Sequence, residues 1–275
     1  MAAKTGIPPK TGRPPSLSVI TVTYIARELL RATMESVLAQ DTDDLEHIII
    51  DGGSADGTVA MVEDRRSEYH RKGVGLVFVS EQDGGIYDAM NKGMRLARGE
   101  WVNFLNAGDT YALPGSLSGV LAHRGFDFLC GAARTVDVRG NILGVAAPVE
   151  KLTLDRFLSG SGVCHQAWFQ RRSLAPDYDT RLTLSADYKW IINCFVAARQ
   201  QVITQEVLVN YLYGGKSKQK YFTTLREKVM VIRAMFGRRA AFGAALRMPL
   251  AVLRAWVLGP TKHRIMRRAG RYQKL

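Results

Sequence analysis

Residues 75–109 read GLVFVSEQDGGIYDAMNKGMRLARGEWVNFLNAGD, and this stretch decides the fold. The apolar run 75–80 has the length and the β-branched and aromatic content of a strand. A polar loop with Gly84-Gly85 follows, then a helical pattern from about Ile86 to Ala97. A second apolar run, 100–105 (EWVNFL), is again a strand and stops at Asn106-Ala-Gly-Asp109. Strand, helix and strand joined by short connections form a unit of a layered α/β sheet.

Toward the N-terminus the same alternation repeats. Residues 17–24 (LSVITVTY) form a continuous β-branched run, as expected of a strand buried on both faces of a parallel sheet. Stretch 27–39 places Leu29, Leu30, Thr33, Met34, Val37 and Leu38 at helical spacing. The run 47–50 (HIII) ends in Asp51-Gly-Gly-Ser-Ala-Asp-Gly-Thr, and a helical pattern restarts at Thr58 and continues to about Arg66. The order β-α-β-α-β-α-β predicts a doubly wound sheet with right-handed crossovers, whose ligands bind at the carboxyl ends of the strands near the switch point. Asp51, Asp109 and the pairs Gly52-Gly53 and Gly84-Gly85 fall at such ends.

Toward the C-terminus the pattern changes. Residues 125–150 hold short β-like pieces around a Gly-Asn turn at 140–141, in the manner of antiparallel strands. Cys164-His-Gln-Ala-Trp-Phe-Gln reads as one more strand, and 185–199 (SADYKWIINCFVAAR) as a helix with Ser185 at its N-cap.

The net charge of +13 would point to nucleic acid if it were spread over the chain. From Lys216 to Leu275, however, 16 Lys and Arg face a single acid, Glu227, a net of +15, so the first 215 residues carry a net of −2. The part that holds the candidate site is thus nearly neutral, with 22 basic and 24 acidic side chains, which argues against a nucleic-acid enzyme. The three cysteines, Cys130, Cys164 and Cys194, are an odd number without CxxC spacing, which fits a reducing cytoplasm. The opening MAAKTGIPPKTGRPPS has no apolar run of the signal-peptide kind, and 1–15 are expected to be a flexible arm.

Position alone leaves the chemistry of the acids open. Asp51 suits a base edge or a ribose hydroxyl, and equally an Asx-turn closing its strand. Asp109 could bind a hard divalent cation beside a diphosphate, but NAGD is also ordinary turn composition. Asp187 could act as a base, or complement the dipole at the start of its helix.

The order and spacing of SVITVTY, IIIDGGSADGT, SEQDGGIYDAMNKGMRLARGEWVNFLNAGD, CHQAWF, SADY and GGKS, across roughly residues 16–217, resemble family 2 glycosyltransferases. The likeness is to the bacterial subgroup that builds cell-surface polysaccharide and glycolipid. It implies a GT-A fold, a Rossmann-like mixed sheet flanked by helices, here with a C-terminal basic helical tail. The implied division is 16–110 for the nucleotide-sugar half, 111–217 for the acceptor and catalytic half, and 218–275 for the tail.

By the same resemblance, Thr21, Thr23 and Tyr24 line the nucleoside, Asp51 contacts the base, and Asp83 and Lys92 close over the ribose and phosphates. Asp109 is the metal-binding acid of a DxD motif whose first acid is replaced here by Asn106 or Ala107. One carboxylate with two phosphate oxygens and waters can still hold Mn²⁺ or Mg²⁺. Asp187 matches the general base of an inverting single displacement. His165 is either a packed strand histidine or part of the acceptor or diphosphate pocket; Lys216, in GGKS, is either linker or diphosphate contact. The implied partners are a UDP-, GDP- or dTDP-sugar donor and a glycan or lipid-linked acceptor. A nucleotidyltransferase is a weaker reading, because TVTYIARELL lacks a Gly-rich basic phosphate loop.

In the tail, 221–258 carry apolar residues at helical spacing, with Arg226 and Arg233 on one face and Arg247 and Arg254 on another. No 18-residue window is free of charge and Pro249 interrupts, so a spanning helix is not expected. Basic heads beside Trp and Leu fit a helix lying in an anionic membrane interface, which would place the protein peripherally at the cytoplasmic face of the plasma membrane. Packing on the domain, or at a homodimer contact, is the competing use of this segment.

Overall fold

A computed structural model describes residues 3–7, 13–123, 125–148, 150–159, 163–214 and 221–268. The expected alternation is present as β2 (Leu17–Thr23), α1 (Arg27–Leu38), β3 (Leu45–Asp51), α2 (Thr58–Asp64), α3 (Arg66–Lys72), β4 (Gly75–Ser80), α4 (Ile86–Leu96) and β5 (Trp101–Phe104). Ahead of it lies β1 (Ala3–Ile7). Beyond it come β6 (Thr110–Tyr111), α5 (Ser116–Ala122), β7 (Phe128–Val136), β8 (Ile142–Ala146) and α6 (Leu154–Leu158). The chain continues through β9 (Trp168–Arg171), α7 (Ala186–Ala197), β10 (Gln201–Leu212) and α8 (Tyr221–Arg268).

Among the described residues ten strands form one sheet in the order β1-β4-β3-β2-β5-β9-β7-β10-β6, with β8 paired to β7. Strands β4, β3, β2 and β5 are mutually parallel, whereas β9 is antiparallel to both β5 and β7. The mixed sheet flanked by helices is the fold class read from the sequence. After β4 the chain crosses back over β3 and β2 to enter β5 on the far side, so the switch point lies between β2 and β5. Register there places Thr23 beside Asp51 and Asp51 beside Ser80.

Every residue of β2 and β3 is buried, as their unbroken apolar runs require. Apart from Thr23, their few polar side chains are paired internally. Glu46 accepts from Ser18 Oγ at 2.7 Å and from the Arg98 guanidinium at 2.7 Å. Thr21 Oγ1 gives its proton to Leu105 O at 2.7 Å, so His47 Nε2 must donate to Thr21 at 2.8 Å while Nδ1 faces Tyr69 OH at 2.6 Å. Burial pushes His47 down to about 3, so it is neutral. Helix α1 turns Leu30, Thr33, Met34 and Val37 onto the sheet, one face at i, i+3, i+4 and i+7.

Four elements differ from expectation. The arm 1–15 contains β1, which pairs antiparallel with β4 from Ala3↔Ser80 to Ile7↔Leu76. The helix begun at Thr58 breaks at Arg65 and resumes as α3 to Lys72. Residues His165–Ala167 form a 3₁₀ turn before β9 begins at Trp168. The long β10, parallel to β7, was not read from sequence at all.

The chain divides into two compact units: Met1–Lys151 with Val163–Gly215, and Leu152–Gly162 with Lys216–Leu275. The expected halves 16–110 and 111–217 thus share one sheet, because β9 and β7 extend it beyond β5. The basic segment forms its own unit with α6, where Arg247 Nη1 pairs with Asp155 Oδ1 at 2.7 Å.

Candidate functional site

The carboxyl ends of β2, β3, β4 and β5 meet at the switch point, and most of the expected residues gather there. Asp51 is fully buried. Its Oδ1 accepts from Ser54 Oγ at 2.5 Å and its Oδ2 from Ser80 Oγ at 2.6 Å and Ser54 N at 3.0 Å. This is the turn-closing geometry, with two serine hydroxyls and one backbone amide on the carboxylate. Ser54 Oγ also accepts from Ile25 N at 2.7 Å, so one chain of hydrogen bonds joins the ends of three strands.

Ile25 has φ 49°, a left-handed conformation that crowds a β-branched side chain. Its side chain is 58% exposed and that of Tyr24 63%, two large apolar groups held at the strand ends by a strained turn. Ile25 also borders an open cleft of about 410 Å³ that Ala26, Arg27, Glu28, Leu29 and Asp56 complete.

Gly52 supplies the floor. A Cβ there would lie 2.7 Å from Asp83 Oδ2 and 3.2 Å from Tyr24 Cδ2, so glycine lets these two expected residues converge without turning the Asp83 carboxylate aside. Asp83 accepts from Gly85 N at 2.9 Å. Lys92 Nζ bonds Gln82 O at 2.9 Å and Glu81 at 2.8 Å, pinning the 81–85 loop to α4.

Thr21 departs from expectation. With its hydroxyl spent on Leu105 and His47 inside the sheet, it does not line the cleft. Thr23, two residues on, keeps a buried Oγ1 without a hydrogen-bond partner. Across the switch point Ala107 N donates to Val22 O at 3.3 Å, and the neighbouring Asn106 likewise holds a buried, unpartnered Oδ1. Two orphaned oxygens at one set of strand ends are what a polar ligand would satisfy.

Asp109 is buried; its Oδ1 accepts from Leu212 N at 2.8 Å and its Oδ2 from Gln166 Nε2 at 3.0 Å. Burial pushes its carboxyl up to about 7, and the two donors hold it back. Thr33 Oγ1 donates to Asp109 O at 2.8 Å and fixes the turn to α1. Among the described residues, no three His, Cys, Asp or Glu side chains gather to hold a metal. Among the described residues, the Asn106–Asp109 turn offers two hard-oxygen groups, the Asp109 carboxylate and Asn106 Oδ1.

Asp187 sits in the first turn of α7, where its Oδ1 accepts from Tyr188 N at 2.8 Å and from Tyr87 OH at 3.3 Å. Tyr87 stacks on Tyr178, and Tyr178 on Trp190. His165 is packed against Phe104 and bonded to Tyr178 OH at 2.7 Å; burial lowers its pKa. The packed reading of His165 is therefore the one the structure carries. Burial raises Cys164 to about 12, and Asp109 and Asp187 both add to the rise. The two acids, far apart in sequence, are linked by contacts: Gln166 bonds Asp109, its neighbour His165 bonds Tyr178, and Tyr178 stacks on Tyr87, the donor to Asp187. Gln166 and Tyr87 were missed as individual residues, although both lie inside quoted motifs, and Lys216 lies outside the described residues.

The signature of Glycosyl transferase family 2 matches residues 18–174. The chain belongs to this family. The match sets aside the nucleotidyltransferase and nucleic-acid readings. A PGL/p-HBAD biosynthesis glycosyltransferase of Mycobacterium bovis is 29% identical to this glycosyltransferase over 266 residues, covering 92% of this chain and 95% of the relative. An uncharacterized glycosyltransferase of Mycobacterium tuberculosis is 35% identical over 195 residues, 65% of this chain and 68% of its own. Among solved structures, TarS of S. aureus superposes with a TM-score of 0.63 at 18% identity, covering 87% of this glycosyltransferase and 73% of TarS. A mannosyltransferase of Pyrobaculum calidifontis, solved with GDP-Man and Mn²⁺, gives a TM-score of 0.60 at 17% identity, with 96% and 82% covered. At these identities the structural likeness carries the fold, GT-A.

Proposed function

We propose that this glycosyltransferase moves a sugar, with inversion, from a nucleoside diphosphate donor to an acceptor hydroxyl. The observation that carries the reading is the contact chain that runs from Asp109 through Gln166, its neighbour His165, Tyr178 and Tyr87 to Asp187, beside strand ends that present two orphaned oxygens. TarS has been solved with UDP-GlcNAc and the mannosyltransferase with GDP-Man and Mn²⁺, which supports a nucleotide-sugar donor and a divalent cation here.

Thr23, Tyr24, Ile25 and Gly52 form the cradle for the nucleoside, with Asp83 and Lys92 setting the loop beside it. Asp51 holds the cradle's shape. Asp109 and Asn106 would hold Mn²⁺ or Mg²⁺, because carboxylate and amide oxygens suit such a hard ion. When bound, the cation neutralises charge developing on the diphosphate. The free acceptor hydroxyl is a poor nucleophile, so Asp187 takes its proton as the oxygen–anomeric carbon bond forms and the bond to the diphosphate breaks. Tyr87 aims that carboxylate. No second carboxylate nucleophile is required, unlike in a retaining glycosidase. The acceptor is a lipid-linked or surface glycan, met at the cytoplasmic face of the plasma membrane.

Titration with UDP-, GDP- and dTDP-sugars, with and without Mn²⁺, tests the donor site. One of them should bind more tightly with Mn²⁺, and Asp109→Ala should lose that gain. Asp187→Asn should keep donor affinity and lose turnover by about 10²–10⁴-fold. Binding of none, or full turnover in Asp187→Asn, would overturn the reading.

A further inference from the structure

The basic unit offers a surface that sugar transfer does not use. Helix α8 is broken at Gly237 (φ 84°, ψ 178°), a conformation open to glycine and strained for other residues. On the first segment, Phe222, Arg226, Met230 and Arg233 are exposed at i, i+4, i+8 and i+11, which is one helix face. On the second, Arg239, Phe242 and Leu246 are exposed at i, i+3 and i+7, with Arg238 beside them. Phe222 is 82% exposed and Phe242 70%. Each face therefore shows large apolar side chains to solvent in alternation with arginines.

The single acid of 216–275, Glu227, is buried, as are Val231, Ile232, Ala241, Ala244 and Met248, and the unit's other acid, Asp155, is paired with Arg247. The exposed stripe carries no negative charge, within a segment whose net charge is +15. Among the described residues no helix is long and apolar enough to cross a membrane.

We infer that the exposed faces on either side of Gly237 lie in the plane of an anionic lipid bilayer surface. Phe222, Met230, Phe242 and Leu246 enter the boundary between headgroups and acyl chains, and Arg226, Arg233, Arg238 and Arg239 meet lipid phosphates. A nucleic acid would answer the charge without calling for four exposed apolar anchors. A second copy of this chain would answer the apolar groups while bringing its own arginines against these. The bilayer surface satisfies both requirements at once. Electrostatics gathers the unit at the surface and apolar insertion holds it there. The Gly237 break lets two short faces seat separately.

The inference rests on the lipid-linked acceptor reading for its purpose, but its test involves no sugar transfer, so either can fail alone. The full-length protein is sedimented with vesicles of phosphatidylcholine alone and with 30% phosphatidylglycerol. Binding should be at least tenfold tighter to the anionic vesicles and should fall by a similar factor in 0.5 M NaCl. The quadruple variant R226Q/R233Q/R238Q/R239Q should lose the preference for anionic lipid. F222S/M230S/F242S/L246S, all at exposed positions, should lose tenfold or more with an unchanged melting curve. A tryptophan placed by Phe242→Trp should be quenched by lipids brominated near the headgroup end of the acyl chain. Equal binding to neutral and anionic vesicles, or binding indifferent to the apolar variant, would overturn the inference. So would a wild-type dimer that the apolar variant converts to monomer without change in vesicle binding, or retention of RNA but not vesicles.

Discussion

Tyr87 and Asp187 stand 100 residues apart in sequence, and a 3.3 Å hydrogen bond joins them. The phenol is buried and its pKa is raised by burial and then by the Asp187 charge, so it stays protonated and donates at any working pH. The hydroxyl holds one carboxylate oxygen while Tyr188 N donates to the same atom, which leaves the other for an acceptor. Tyr87→Phe should therefore lower kcat about tenfold, about 1.4 kcal/mol in barrier height, with donor KM unchanged. A steady-state comparison checks this; a raised donor KM with unchanged kcat would assign Tyr87 to the donor loop instead. Ile25 makes a second case. Its left-handed backbone should cost about 1–2 kcal/mol relative to a residue at ease there. Ile25→Asn should raise the urea midpoint and weaken nucleotide binding, since the exposed apolar contact is lost.

The elements show why some of this was legible in the sequence. Strands β2 to β5 were visible because burial on both faces leaves unbroken apolar runs, and their order alone located Asp51 and Asp109 at strand ends. Strand β10 was not, because QVITQEVLVNYL is partly exposed along much of its length and its register to β7 shifts twice, which destroys any simple period. The arm hid β1 for a related reason: a five-residue edge strand gains its identity from β4, which its own letters do not contain. Gln166 and Tyr87 were passed over because their meaning lies in partners 57 and 100 residues away. Thr21 and Thr23 share a face by strand periodicity, and only depth in the sheet separates the structural one from the candidate ligand. The packing of α4 on β2 carries its own test. A Cβ at Gly93 would run into Ile20 Cγ2, a fully buried β-branched side chain with nowhere to move. Gly93→Ala should cost about 1–3 kcal/mol in urea unfolding, despite alanine's better helix propensity. A stabilised variant would show that helix and sheet are looser than drawn.

At the scale of the whole molecule, two buried groups pull stability in opposite directions with pH. His47 is held down to about 3, so between there and its ordinary value near 6.5 the unfolded chain binds a proton that the native protein refuses. Its contribution to stability is therefore present above about 6.5 and lost as pH falls through that window. Asp109 is pushed up to about 7 from an ordinary value of 3.8, so between those values the native protein holds a proton that the unfolded chain releases. Its contribution is present below about 3.8 and lost as pH rises toward 7. From about pH 4 to 6.5 the two proton differences offset each other, and these groups leave the stability of metal-free protein nearly flat. Removing either should expose the other. With chelator present, Asp109→Asn should make the unfolding free energy rise with pH across this range relative to wild type. His47→Gln, which can keep both hydrogen bonds, should make it fall. Each slope should approach about 1.4 kcal/mol per pH unit, the value for one proton. Urea midpoints at pH 4.5, 5.5 and 6.5 for the three proteins measure the slopes, and the same sign in both variants would refute the assignment. The comparison also states what the site costs: above pH 7 Asp109→Asn should be more stable than wild type while losing the Mn²⁺-dependent gain in donor binding.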